Sequence, residues 1–288
     1  MDSFLKTNNV SEARHFLVAI YFSVFFAGAR WFFDKFVFRR LSICLLSKGR
    51  APLKFDEGTQ GKINKCSESL WKLMYYAIVE SAILYIAYNE PWFSDTKEYF
   101  RGWPNHEIML SLRLFYMCQC GFYVYSIAAL LTWETRRKDF PVMMSHHVIT
   151  VLLIGYSYMI GFFRIGSIIL ALHDASDVFM EAAKIFKYSE KELAASVLFG
   201  FFALSWLMLR LIFFPFWVIR ATSYDLPYSL ELAGVNPRST YYISNTMLLT
   251  LLVFHVYWWI LICSMIMRQL KNKGKLGEDI RSDSEDED

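Results

Sequence analysis

Apolar runs of near-bilayer length, separated by short polar connections, organise this chain of 288 residues. A helix needs about 20 residues to cross roughly 30 Å of hydrocarbon. Segments at 16–38, 71–89, 108–133, 143–162, 165–184, 196–220 and 241–267 meet that length. They predict an all-α fold, a polytopic membrane helical bundle of about seven transmembrane helices. The fourth and fifth are separated only by Gly161-Phe-Phe-Arg164, which predicts a tight helical hairpin. A turn near 162–163 would set His147 opposite Val178, Asp177 opposite Val148, and Asp174 near Val151. The first run, Phe16 to Phe38, is too long for a secretory signal and carries Arg30, Asp34 and Lys35, so it reads as a retained span.

Cytoplasmic connections are richer in Lys and Arg. The first connection holds Arg39, Arg40, Lys48, Arg50, Lys54, Lys62 and Lys65; the third holds Arg136, Arg137 and Lys138; the fifth holds Lys187 and Lys191. The tail adds Arg268, Lys271, Lys273, Lys275 and Arg281, whereas the other side keeps Lys6, Arg14, Lys97, Arg101, Arg164 and Arg238. This alternation predicts a lumenal or outside N-terminus and a cytosolic C-terminus. The domain reading is a short lumenal N-terminus (1–15), a first span with its cytosolic loop (16–70), a membrane domain (71–267) and a cytosolic basic-then-acidic tail (268–288). The connection 39–70 is too short for an added domain. A sequon, Asn9-Val-Ser11, stands so close to the first span that little or no glycosylation is expected.

Composition strengthens the membrane reading. Residues are 55% apolar and 18% aromatic, with 9 Trp, 17 Tyr and 26 Phe, as fits a chain with many bilayer interfaces. The net charge of +3 leaves no nucleic-acid footprint, and the acidic run Ser282 to Asp288 reads as solvated disorder. Ser282 and Ser284, each followed three residues later by Glu, suit an acidophilic kinase. Cys44, Cys66, Cys118, Cys120 and Cys263 are odd in number and lack Cys-x-x-Cys spacing, so neither a disulfide framework nor a zinc site is signalled.

Ionisable residues inside spans cost about 2.5–3.5 kcal/mol each on insertion scales and mark function. The fourth span begins Met143-Met-Ser-His146-His147-Val-Ile-Thr150, and the fifth contains Leu172-His173-Asp174-Ala-Ser-Asp177 and Glu181-Ala-Ala-Lys184. Asp174, Asp177, Glu181 and Lys184 form one stripe by i+3/i+4 spacing, with His173 reaching Asp177. A buried imidazole beside a carboxylate can be held in one tautomer and act as base or nucleophile. The same residues also suit a His–Asp network that merely locks two helices, or a proton relay in a transporter. With six His and no repeated His-x-x-His boxes, a di-iron oxygenase is set aside. His255, in Phe254-His-Val-Tyr-Trp-Trp259, reads as a packed core histidine, and His15 and His106 as interfacial. Arg136, Arg137 and Lys138 set topology or draw the phosphates of an anionic substrate to the site.

The stretch His146-His147-Val-Ile-Thr150, Phe163-Arg-Ile-Gly166, Leu172-His-Asp-Ala-Ser-Asp177, Glu181-Ala-Ala-Lys184 and Leu211-Ile-Phe-Phe-Pro215 closely resembles the Lag motif of ceramide synthases, membrane enzymes with a TLC domain. Glu90-Pro-Trp92, Gly121-Phe-Tyr-Val-Tyr125 and Trp133-Glu-Thr-Arg-Arg-Lys138 look like the plant type. Met117-Cys-Gln-Cys-Gly-Phe-Tyr123 and Phe186-Lys-Tyr-Ser-Glu-Lys-Glu192 are similar to the plant class associated with C16 acyl-CoA and dihydroxy sphingoid bases. The resemblance implies transfer of a fatty acyl group from acyl-CoA to the amine of sphinganine, in the endoplasmic reticulum membrane. Its essential His pair falls on His146 and His147, and its two aspartates on Asp174 and Asp177. Arg136, Arg137, Lys138, Thr150, Arg164, His173 and Glu181 are the candidate substrate contacts. Acyl-CoA is a co-substrate, and neither cofactor nor metal is expected. Monomer or homodimer stays open, and the alternative is a TLC-domain protein that binds or moves lipids without chemistry.

Overall fold

The computed structural model describes residues 2–47, 56–104, 108–272 and 277 of the chain. The acidic tail with Ser282 and Ser284, and His106, lie outside the described residues. Every regular element among those described is helical. Helix α1 (Asp2–Phe33), which contains Asn9, continues through a π-turn at Asp34–Phe38 into α2 (Arg39–Ser47). Then come α3 (Glu57–Ala87), α4 (Leu110–Thr132), α5 (Phe140–Met159) and α6 (Phe163–Tyr188). α7 (Glu192–Ser205) runs through π-wound segments at Trp206–Ile219 and Ala221–Asp225 into α8 (Leu226–Leu232), and α9 (Arg238–Lys271) completes the bundle.

Six of these helical stretches are long and apolar enough to cross a membrane. The seventh expected span corresponds to α6, which has 26 residues. At 1.5 Å per residue it is about 39 Å long, ample for a crossing. Its polar stripe makes it less apolar than the other six. α3 starts at Glu57 rather than near 71, so much of the first expected loop is helix. Asp56 caps that helix by accepting from the Thr59 amide at 2.8 Å, and this hydrogen bond holds the carboxyl below its ordinary pKa.

A ring forms in the order α3, α4, α5, α9, the π-wound part of the α7–α8 rod, α6 and back to α3, with α1 against the outside of α4. Large apolar side chains on the outer faces, such as Leu17, Val24, Leu193, Phe201 and Ile260, are exposed, as a lipid-facing shell requires. α5 and α6 are joined by a tight turn in which Gly161 has φ +82°, a conformation that a Cβ disfavours. They do not pack as the expected hairpin. α6 packs mainly on α3 and α7, and α5 on α4 and α9, so the two helices diverge from their turn and enclose the bundle interior. The expected face-to-face pairing of residues 143–162 with 165–184 is corrected accordingly.

Candidate active site

His146 stands two turns into α5 and is only 7% exposed. Its ring stacks at 6.1 Å on that of His173 of α6, and meets Trp258 of α9 edge-on at 5.3 Å. Its Nδ1 is buried with no hydrogen-bond partner among the described residues. The Thr150 hydroxyl, one turn on, donates to the His146 carbonyl at 2.8 Å. His147 points elsewhere, as adjacent helical residues must. Its Nδ1 lies 2.9 Å from the Met143 carbonyl, and its ring lies 5.5 Å from Tyr123 of α4. A carbonyl can only accept, so that Nδ1 carries a proton, and in the neutral ring Nε2 keeps the lone pair.

The same logic fixes His173. Its Nδ1 donates to the Ile169 carbonyl at 2.6 Å, so its Nε2 accepts from His255 Nε2 at 2.8 Å. His173 therefore does not reach Asp177, and the tautomers of His147 and His173 are set by carbonyls of the preceding turn rather than by carboxylates. His255 is fully buried, as a core residue should be, yet it is also wired to the histidine group.

The two aspartates have separate partners. Asp174, with no exposed surface, accepts from Gln119 Nε2, whose Oε1 in turn accepts from the Tyr75 hydroxyl at 2.7 Å. Asp177 pairs with Arg210 at 3.0 Å. Arg210, 3% exposed, also donates to Ser176 Oγ at 2.9 Å and to the His173 carbonyl at 2.6 Å, and its guanidinium lies 4.0 Å from the centre of the Trp206 ring. It stands in the π-wound segment, a winding that recurs at functional sites. Arg210 and Gln119 were both visible as polar residues inside apolar spans, which is the signal that finds them.

Toward the C-terminal end of α6 and the start of α3, Glu181 pairs with Lys184 at 2.7 Å, Lys72 with Glu68 at 3.0 Å and with Glu134 at 2.8 Å, and Arg137 with Glu68 at 3.5 Å. Arg136 is exposed and stacks on Phe140 at 4.3 Å, and Lys138 is exposed beside it. Arg164 is not brought to this centre. It donates to the carbonyls of Glu98 and Arg101 at 2.8 and 3.1 Å, tying the start of α6 to the connection before α4.

A narrow apolar cavity opens beneath the histidines. Tyr123, Thr150 and His173 line its near end, and Tyr116, Ser157, Phe162 and Gly166 its far end. The Tyr116 hydroxyl lies 3.3 Å from Ser157 Oγ and 3.4 Å from the Phe162 carbonyl, and a Cβ at position 166 would collide with that hydroxyl. Among the described residues, no three His, Cys, Asp or Glu side chains converge as metal ligands. The arrangement thus offers imidazoles, a buried guanidinium and carboxylates close to a narrow apolar cavity that His173 and Thr150 line.

Comparison with known proteins identifies the family of the chain. Residues 65–264 match the family model described as the TLC domain. The chain is 63% identical over 278 residues to "Ceramide synthase LOH2" of Arabidopsis thaliana, covering 96% of this chain and 94% of that protein. It is 62% identical over 272 residues to "ASC1-like protein 3" of Oryza sativa subsp. japonica, covering 94% and 96%. It is 46% identical over 282 residues to "Ceramide synthase 1 LOH3" of Arabidopsis thaliana, covering 95% and 92%.

Proposed function

The chain belongs to the TLC-domain family, among its plant ceramide synthases, and from that membership we propose that the centre around His146 is where it joins acyl chain and sphingoid base. The protein is a multi-pass membrane acyltransferase that moves a fatty acyl group from acyl-CoA to the amine of a sphingoid base. The observation that carries the site assignment is His146: a buried imidazole with an unpartnered nitrogen, stacked on His173, which lines an apolar cavity inside a bundle of apolar helices.

The chemistry follows from these groups. A sphingoid amine is protonated at neutral pH and must lose a proton before its nitrogen can attack the thioester. His146 takes that proton, or first takes the acyl group onto its nitrogen. His147 binds substrate beside it, and Asp174 and Asp177 orient the centre and receive charge. His173, Thr150 and Glu181 line the approach. The CoA head comes from the cytosol, where Arg136, Arg137 and Lys138 meet its phosphates. The apolar tail lies in the cavity. Single-turnover mixing with acyl-CoA alone separates the two routes: a trapped acyl-enzyme supports the imidazole nucleophile, and its absence in an active protein supports the base.

Membranes holding this chain, given labelled sphinganine with acyl-CoA of 16 or 24 carbons, test the activity. Ceramide is expected, with the 16-carbon donor preferred. From His146 to Ser157 along α5 is about 16 Å, close to the ~15 Å that one leaflet's chains span. Tyr116 closes the far end, so Tyr116→Ala is expected to shift the preference toward the 24-carbon donor by about tenfold. An unchanged ratio in the active variant removes the end-wall. Converting the exposed Arg136 and Lys138 together to Gln is expected to raise the KM for acyl-CoA severalfold at low salt and hardly at all at high salt, because exposed charges are screened. An unchanged KM at low salt removes the phosphate role.

Family membership and the Lys and Arg distribution support an endoplasmic reticulum membrane protein with α6 as a seventh crossing, a lumenal N-terminus and a cytosolic C-terminus. The catalytic domain spans 71–267, after the short N-terminus (1–15) and first span with its loop (16–70), and before the tail (268–288).

A further inference from the structure

α3 and α6 carry facing polar stripes. On α3, Glu68, Lys72, Tyr76 and Glu80 recur every fourth residue and so share one face. On α6 the stripe is Lys184, Glu181, Asp177 and Asp174. The two helices run in opposite directions and pack along their length. Their rungs match by electrostatic proximity: Lys72 with Glu181, Tyr76 with Asp177, and Glu80 with Asp174.

The other rungs each hold a cation, although Glu181 Oε2 is buried without a hydrogen-bond partner among the described residues. Lys72 holds Glu68 and Glu134, Lys184 holds Glu181, and Arg210 holds Asp177. The innermost rung differs. Asp174 is fully buried, and its Oδ1 has no hydrogen-bond partner among the described residues. Glu80 Oε2 is likewise buried and unpartnered. Helical spacing on the packed α3 and α6 thus sets two carboxyl groups in the same innermost rung, each with an acceptor oxygen to spare. As carboxylates, such groups are costly in a membrane unless a cationic donor meets them; otherwise they take up a proton.

The reaction supplies one. A primary ammonium brings three N–H donors and a positive charge, and it reaches the site on a lipid-soluble tail. We propose that Glu80 and Asp174 together form the docking site for the sphingoid base ammonium, a role that rests on the acyltransferase reading above. There the ammonium gives one proton to the centre. Its nitrogen then forms the C–N bond as the C–S bond breaks, and a second N–H proton goes to the departing thiolate. The products are amide, CoA thiol and one proton released to water.

The test is kinetic, on the full chain in membranes. Glu80→Gln is expected to raise the KM for sphinganine about tenfold or more, with the KM for acyl-CoA unchanged. On the wild type, octadecylamine is expected to compete with sphinganine, while octadecanol at the same concentration does not. An unchanged sphinganine KM, a parallel rise in both KM values, or equal inhibition by amine and alcohol overturns the docking site while leaving the acyltransferase standing. Should Glu80→Gln fail to fold, the inhibitor pair decides alone. A folded wild type that makes no ceramide overturns both.

Discussion

A His146→Ala protein is expected to elute and melt close to the wild type and to form no ceramide above background. Loss of a general base or nucleophile costs roughly 10²–10⁴ in rate, and here the same atom is the one placed for either task. Folding should survive because the imidazole's Nδ1 has no partner to orphan, and the carbonyl that Thr150 caps belongs to the backbone. His147→Ala is expected to lose turnover as well, since it removes the Nε2 lone pair beside Tyr123 while Met143 keeps its place in the helix. The double variant should be no worse than either single one, because groups that act as a unit are not additive. Turnover retained in both single variants would end the assignment and favour a lipid carrier.

The spans were legible in the sequence because lipid imposes a length. Any run that leaves its backbone bonds satisfied and its side chains in hydrocarbon must be helical for some 20 residues. Helix ends were less legible. α3 begins at Glu57 because helical hydrogen bonding continues past the apolar stretch, and Asp56 caps it there. The π-winding after Trp206 left no mark in the apolar pattern, since Trp206 to Ile219 is apolar on nearly every face.

The polar centre was legible one helix at a time. Spacing of three and four residues put Asp174, Asp177, Glu181 and Lys184 on one face, and they do share one in the bundle. Partners on other helices depend on how each rod is rotated and crossed, which local spacing does not encode. Asp177 finds Arg210 rather than His173, and Asp174 finds Gln119. His255 sits among aromatics that argue for packing, and the hydrogen bond to His173 depends on an α6–α9 approach that only the assembled ring supplies. A divergent α5–α6 pair defeats the hairpin register for the same reason: a tight turn fixes where two helices meet but not whether they stay together.

Arg210→Leu is expected to cost more stability than any other single change at the centre. The guanidinium satisfies the Asp177 carboxylate, Ser176 and the His173 carbonyl from one buried position, and rests on Trp206. Removing one partner of such a pair leaves an uncompensated buried charge, at a cost of about 3–5 kcal/mol. Folded yield in detergent and melting temperature should both fall, and ceramide formation should vanish. Adding Asp177→Asn to that variant removes the stranded charge, so the melting temperature should recover while activity stays absent. Arg210→Lys keeps the charge but not the planar fork, and one ammonium on a shorter arm does not reproduce the same bonds. It is expected to fold and to lose kcat more than it raises either KM, because the carbonyl it releases belongs to His173, whose ring stacks on His146. Arg210 is in this sense a positioning residue, acting on the reacting imidazole through α6. A stable and fully active Arg210→Leu protein would show that the pair merely fills a gap between helices, and the centre would then have to work without a buried cation.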